Sequence, residues 1–258
     1  MDTSVDGLRV LVTAGGAGIG RRIATRFREH GARVFVCDVD EAALAELRTM
    51  APDIGAMPAD VGDANAVQRL FETALAALGG LDVLVNNAGI SGPTAAAEDV
   101  LPADWDRTLA VNLSGQFYCA RLAIPEMKRA GGGSILNISS TSGKTGLPLR
   151  LPYAVSKHAV MGLTETLARE VGPHGIRVNT ILPGFVNNAR NQRIVKAKSA
   201  ALGITPEAYL ADGLQYVSMR SMIEEVEIAD MAIFLASPAA LHVSGQAIGV
   251  CGNVEYER

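Results

Sequence analysis

Cysteine is scarce in this chain, and the three present, Cys37, Cys119 and Cys251, are far apart with no C-x-x-C spacing. That excludes a disulfide framework and a cysteine zinc site, and it leaves reduced thiols in a cytoplasmic protein as the expectation. There is no excess of cations: 23 Lys and Arg stand against 27 Asp and Glu, a net charge of −4. A nucleic-acid-binding role lacks its electrostatic footprint. No membrane span is expected. The longest stretch without a charged side chain, Met231–Val254, is broken by Pro238, His242, Gly245, Gln246, Gly249 and Gly252. No signal peptide is expected either, because Met1–Val10 carries Asp2 and Asp6 and has no apolar centre. Linkers, low-complexity segments and short repeats are also missing.

What remains is 258 residues, 48% of them hydrophobic, enough for one large core. Short apolar runs alternate with longer helical patterns. Strands are expected at Leu8–Thr13, Arg33–Cys37, Ile54–Ala59, Leu81–Val85, Ile135–Ile138, Ile176–Leu182 and Gln246–Val250. Helices are expected at Gly18–His30, Glu41–Thr49, Ala64–Leu78, Trp105–Arg129 and Tyr153–Val171. Continuous apolar strands between helices predict a parallel sheet covered on both faces. The reading is therefore α/β: a single Rossmann-like domain over 1–258, doubly wound, with helices on both faces. Phe185–Met222 breaks the rhythm. Excursions of that length are usually functional, so it is read as a mobile lid, with Pro183-Gly184, Gly203 and Gly213 as flexible points. A structural insertion is the alternative.

Glycines are concentrated where the first strand meets the first helix, in Thr13-Ala14-Gly15-Gly16-Ala17-Gly18-Ile19-Gly20. A small-residue loop lets the backbone approach a pyrophosphate, and the helix start supplies free N–H groups. Asp38, 18 residues past Gly20 at the end of the second strand, has the place of an acid that accepts from a ribose 2′-OH and repels a 2′-phosphate. The competing role for Asp38 is a helix cap. Tyr153 and Lys157 are four apart at a helix start and share a face. An ammonium beside a phenol favours the phenolate, which makes a tyrosine usable as a general base. Ser140, thirteen residues upstream, ends the fifth strand at the rim where such sheets bind ligands.

In this order and spacing the motifs resemble those of the short-chain dehydrogenases/reductases over essentially the whole chain. Thr13–Gly20 resembles that family's T-G-x-x-x-G-I-G, with Ala14 in place of the first glycine; Gly15 and Gly16 follow it, so the change is expected to cost little. Asp60-Val61 resembles the adenine-contacting pair, and Asn86-Asn87-Ala88-Gly89 the N-N-A-G turn. Asn112 matches the helix asparagine. Ser140, Tyr153 and Lys157 match the catalytic serine, tyrosine and lysine, and Pro183-Gly184 the P-G after the sixth strand.

The resemblance implies NAD as cofactor, held by Gly15, Gly16, Gly18, Ile19, Gly20, Asp38, Asp60, Val61, Asn87, Ala88, Gly89, Tyr153, Lys157, Pro183, Gly184, Val186 and Asn188. Asn188 stands where the family usually has threonine, and Cys251-Gly252-Asn253 where it has D-G-G. Catalysis is implied for Asn112, Ser140, Tyr153 and Lys157, which would interconvert a secondary alcohol and a ketone. The substrate is read as a small polar molecule: a sugar, polyol, hydroxy acid or 3-oxoacyl compound. Ser140, Ser142, Arg150, Asn187, Arg190 and Arg193 are the candidates to hold it.

Arg190, Arg193, Lys196 and Lys198 form a run of cations without an acid. They suit an anionic substrate or, as preferred here, a solvated helix face. The resemblance also implies a homotetramer paired through the two long helices. Three rival readings remain: a silent NAD-binding scaffold or regulator, an NADP-dependent ketoreductase, and epimerisation or dehydration of a nucleotide sugar. All four catalytic positions are filled, which argues against the first. The last usually needs a substrate domain that this chain lacks.

Overall fold

A computed structural model describes residues Asp2–Val254, apart from the side chains of Arg190, Ala197, Lys198 and Ala201. Seven strands form one parallel sheet: β1 (Arg9–Thr13), β2 (Arg33–Asp38), β3 (Gly55–Pro58), β4 (Val83–Asn86), β5 (Gly133–Ile138), β6 (Ile176–Pro183) and β7 (Ala247–Val250), in the order β3-β2-β1-β4-β5-β6-β7. The apolar runs are continuous because both faces are covered. Val10, Val12, Val34, Val36, Val83 and Val85 pack into one core layer with α1 (Gly18–Glu29), α2 (Glu41–Met50) and α9 (Glu225–Ala236). The intervening residues Leu11, Phe35, Cys37 and Leu84 pack into the other, under α3 (Ala64–Leu78), α5 (Gly115–Ala130) and α6 (Leu151–Val171). This period-two division of each strand is the doubly wound fold that the strand–helix alternation predicts.

The order reverses between β1 and β4: the chain leaves β1 toward β2 and leaves β4 toward β5. At such a switch point the carboxyl ends of the strands open into a crevice. An ion pair fixes the opposite end. Arg9 on β1 grips Asp82, just before β4, with Nε to Oδ2 at 2.8 Å and Nη2 to Oδ1 at 2.6 Å. Burial pushes the Asp82 carboxyl up, and the bonds from Arg9 outweigh it to hold it below the ordinary carboxylate range. Cys37 and Cys119 are fully buried thiols. Burial pushes Cys37 up to about 12 and raises Cys119 as well, so neither serves as a nucleophile.

The structure corrects or adds to three sequence expectations. The helix expected at Trp105–Arg129 starts earlier, as α4 (Pro102–Leu109), with the proline at its first position. A π turn, Ala110–Ser114, then separates α4 from α5. Phe185–Met222, read as a lid or an insertion, holds two helices, α7 (Ala189–Leu202) and α8 (Pro206–Leu214), capped by Asn188 and Thr205. Gly213 lies inside α8, and Gly203 ends α7 at φ 68°. The base of the excursion is tied: Asn187 N donates to Ile223 O at 2.8 Å and Ile223 N to Phe185 O at 2.9 Å.

Third, Ala14 is not a cheap replacement. Its φ is +49°, in the left-handed region, and the glycines after it do nothing for that residue. A Cβ there costs about 1–2 kcal/mol. Ala14→Gly is expected to stabilise the protein by about 1 kcal/mol net of the added chain entropy, raising Tm by about 2–4 °C. A thermal melt that moves down, or not at all, contradicts this.

Candidate active site

The glycine loop owes its shape to crowding. A Cβ on Gly15 would fall 2.6 Å from Val36 Cβ, and one on Gly20 would fall 2.1 Å from Ala14 O. Packing of β1 and α1 thus requires glycine at both positions. Gly16 lies against Asp38: its N–H donates to Asp38 Oδ2 at 3.0 Å, while Asp38 Oδ1 accepts from Asp40 N at 3.1 Å. Asp38 thus orients the loop with its carboxylate at the end of β2. The helix-cap role falls to Asp40, which accepts from Ala42 N and Ala43 N. Ala17, at the start of α1, has no side-chain cap, so the first N–H groups of α1 are left for another acceptor.

The turn after β4 is stitched to this loop. Thr13 Oγ1 accepts from Asn87 N and Ala88 N, each at 3.0 Å, and Asn87 Nδ2 donates to Thr13 O and Ala14 O, both at 3.0 Å. Farther out, Asp60 accepts from Gly62 N at 2.9 Å and pairs with Arg107 at 2.8 Å. Its carboxylate is engaged by the chain on both oxygens, beside Val61, which is buried against Gly115.

Ser140, Tyr153 and Lys157 meet in one cleft of about 230 Å³ at the carboxyl edge. With them come Ile19, Asn87, Gly89, Pro183, Gly184, Val186 and Asn188, and the substrate candidates Ser142 and Arg150. Ser140 Oγ accepts from Ser142 N at 3.2 Å, which leaves its own O–H proton to be donated. Lys157, 4% exposed, donates from Nζ to Ile138 O at 2.8 Å, and Nζ lies 5.8 Å from the Tyr153 ring centre.

Asn112 is buried behind the cleft on the π turn. Its Oδ1 accepts from Ile90 N at 2.7 Å, and its Nδ2 donates to Ile90 O at 2.9 Å and Ser156 Oγ at 3.0 Å. Ser156 in turn donates to Tyr153 O at 2.7 Å. Asn112 is therefore a brace between the β4 turn and α6, not a wall of the cleft. Sequence reading has no signal for the π turn, a feature frequent at functional sites.

Arg150 is buried at the start of α6. Its Nη2 donates to Ser91 O at 2.7 Å, and its guanidinium carbon lies 5.2 Å from the Tyr153 ring centre. Two cations thus flank the tyrosine. Other substrate candidates are corrected. Asn187 donates to Glu224 at 2.8 Å on the surface, and Arg193 is exposed; neither lines the cleft. The helical phase of α7 turns Asn191 and Ile194 inward in their place. Arg190, as a side chain, lies outside the described residues.

A second chamber of about 290 Å³ adjoins the first, with Ser140, Ser142, Leu147, Gly184, Asn191 and Ile194 common to both. Phe185, Val195, Tyr209, Leu210 and Tyr216 form its farther wall. The small polar substrate expected from sequence faces a chamber that mixes these apolar and aromatic side chains with Thr141, Ser142, Asn191 and Asp212. Asn191, Phe185 and Tyr216 escaped sequence reading because only the fold of the excursion turns them inward.

A family model described as enoyl-(acyl carrier protein) reductase matches residues 13–253. The chain belongs to the short-chain dehydrogenase/reductase family. An uncharacterized oxidoreductase of Thermotoga maritima is 36% identical over 246 residues, 95% of this chain and 96% of the relative. A (3R)-3-hydroxyacyl-CoA dehydrogenase of Canis lupus familiaris is 36% identical over 261 residues, 95% of each chain. Among solved structures, a 7α-hydroxysteroid dehydrogenase complexed with NADH and 7-oxo glycochenodeoxycholic acid superposes with a TM-score of 0.89 at 34% identity, covering 99% of this chain and 97% of the other. This short-chain dehydrogenase/reductase is thus an oxidoreductase. Among its described residues no helix is long and apolar enough to cross a membrane, and no cluster of His, Cys, Asp and Glu could hold a metal.

Proposed function

We propose that this short-chain dehydrogenase/reductase is an NAD(H)-dependent enzyme that interconverts a secondary alcohol and a ketone, with Tyr153 as the proton-transferring group. The observation that carries the reading is the convergence of Ser140, Tyr153 and Lys157 in one cleft beside the uncapped start of α1. The chain fits a nicotinamide dinucleotide. The free N–H groups of α1 suit a pyrophosphate, the cleft between Ile19, Gly89 and Val186 suits a flat ring, and Asp38 suits a ribose diol. That cofactor, when bound, supplies hydride transfer. The relative solved with NADH supports the unphosphorylated form.

The chain's own residues do the rest. In the oxidation direction Tyr153 takes the hydroxyl proton of the substrate, and Ser140 donates a hydrogen bond to the same oxygen as its charge changes. Lys157 and Arg150 place two cationic groups 5.8 and 5.2 Å from the Tyr153 ring centre. Asn188 spends its Oδ1 on capping α7, so its Nδ2 is the group to meet a nicotinamide carboxamide. Incubation with NADH and a panel of ketones carrying apolar substituents tests the reading. Consumption of NADH is expected, and NADH binding without turnover on any ketone would favour a silent scaffold.

We also place this chain in a homo-oligomer, a tetramer as the family resemblance implies. Phe117 on α5 and Leu151 and Val155 on α6 are exposed apolar side chains on the two helices expected to pair. Light scattering at micromolar protein is expected to give a mass near four times 27.0 kDa. A monomer mass rules this out.

A further inference from the structure

Among the described residues, the side-chain amide nitrogens of buried asparagines around the site donate to a partner, although the amide oxygens Asn86 Oδ1 and Gln116 Oε1 meet no donor. Asn86 Nδ2 donates to Asn137, Asn137 Nδ2 to Thr164, Asn112 Nδ2 to Ile90, and Asn179 Nδ2 to Val243. Asn191 differs: its Nδ2 is buried and meets no acceptor. A buried donor without a partner is costly, so native structures keep one mainly where something else completes it. The backbone at Asn191 is held independently of that side chain, by its own N–H donating to Asn188 Oδ1 at 2.9 Å. The amide lies in the first turn of α7, in the wall common to both chambers, together with Ser140. A substrate whose reacting oxygen meets Ser140 and Tyr153, and whose apolar end fills the chamber of Phe185, Tyr209 and Tyr216, passes Asn191 on the way.

We infer that Asn191 Nδ2 is a specificity determinant that donates to a second carbonyl oxygen of the substrate, one or two carbons from the reacting carbon. The inference rests on the ketone–alcohol reading above and narrows it to vicinal or β-dicarbonyl compounds bearing an alkyl or aryl group, and to their hydroxycarbonyl counterparts. A plain ketone of equal length leaves the donor buried and unsatisfied. A site built around a hydrogen bond discriminates against the analogue that lacks it far better than an apolar site discriminates by size.

The test uses the Tyr153→Phe enzyme loaded with NADH, where binding is read by calorimetry without turnover. The probes are hexyl 3-oxobutanoate, a 2-oxo ester of the same length, and 2-undecanone. With Asn191 in place, at least one dicarbonyl is expected to bind about tenfold or more tighter than the ketone. Asn191→Leu is expected to bring that ratio near one, and Asn191→Ser, which keeps a shorter donor, to restore part of it. In the enzyme that retains Tyr153, the same substitutions are expected to act on KM for the dicarbonyl more than on kcat.

The inference is overturned if the ratio is near one with Asn191 present, or if Asn191→Leu and Asn191→Ser leave it unchanged. It is also overturned if their effect is a loss of NADH affinity alone, which would give the amide to the cofactor. Failure of the ketone–alcohol reading looks different, because no ketone of any kind is then turned over by the unmodified enzyme.

Discussion

Tyr153→Phe is expected to lower kcat by at least ~10²-fold while NADH affinity changes by less than about threefold. The ring and its packing beside Lys157 and Arg150 are kept, and only the oxygen that carries the proton is lost. Acid–base groups contribute about 10²–10⁴-fold, and Phe has nothing to substitute for the phenol. Lys157 is a useful contrast. It holds Ile138 O and lies within reach of Gly89, where a Cβ would fall 3.2 Å from Nζ. Lys157→Ala therefore disturbs the cleft itself and is expected to lower both rate and cofactor affinity. Stopped-flow turnover beside fluorescence titration of NADH separates the two patterns. A Tyr153→Phe enzyme that keeps more than about a hundredth of the rate would place the proton transfer elsewhere.

The second large effect is at Asp38. With its carboxylate fixed by Gly16 N and Asp40 N, a 2′-phosphate at the ribose position meets a like charge, a mismatch that costs several kcal/mol. The two cations at the start of α1 are engaged elsewhere: Arg21 pairs with Glu46 and Arg22 with Glu29. At about 1.4 kcal/mol per tenfold, kcat/KM is expected to favour NADH over NADPH by ~100-fold or more. Asp38→Ala is expected to lower the NADH value about tenfold, raise the NADPH value, and bring the two within about tenfold. The rise is the decisive part, because mere loosening of the Gly16 loop would lower both. Equal use of the two cofactors by the unmodified enzyme contradicts the assignment.

Much of the fold was legible because both of its periods are written in the chain. Strands such as Leu8–Thr13 are apolar through their centre, Val10 to Val12, as two covered faces require, and the helices between them carry one apolar stripe. The motif residues were legible for a related reason. Ser140, Tyr153 and Asn87 belong to short segments whose chemistry depends on near neighbours, so their order and spacing carry the information. The errors lie where tertiary context decides. Ala14 has an ordinary side chain on a backbone that sheet and helix force to positive φ. At Gly15 and Gly20 the crowding by Val36 and Ala14 that excludes a side chain is likewise set by the fold and has no signal in the sequence. In Phe185–Met222 a helix face was legible but its phase was not, so Asn187 and Arg193 were assigned to the substrate while Asn191 and Ile194 took the inward face. Composition alone could not show that Phe185, Tyr209 and Tyr216 share one chamber, since the fold of the excursion brings them together.

The central claim is that the cleft of Ser140, Tyr153 and Lys157 carries hydride to a ketone carbon from NADH. NADH deuterated at the transferring position of its nicotinamide, supplied with the best ketone found and the unmodified enzyme in ordinary water, tests it most directly. An alcohol with deuterium on the carbinol carbon is expected, formed in proportion to the NADH consumed and at least ~10²-fold more slowly by Tyr153→Phe. Alcohol formed without that label, or NADH bound and never consumed, would contradict it.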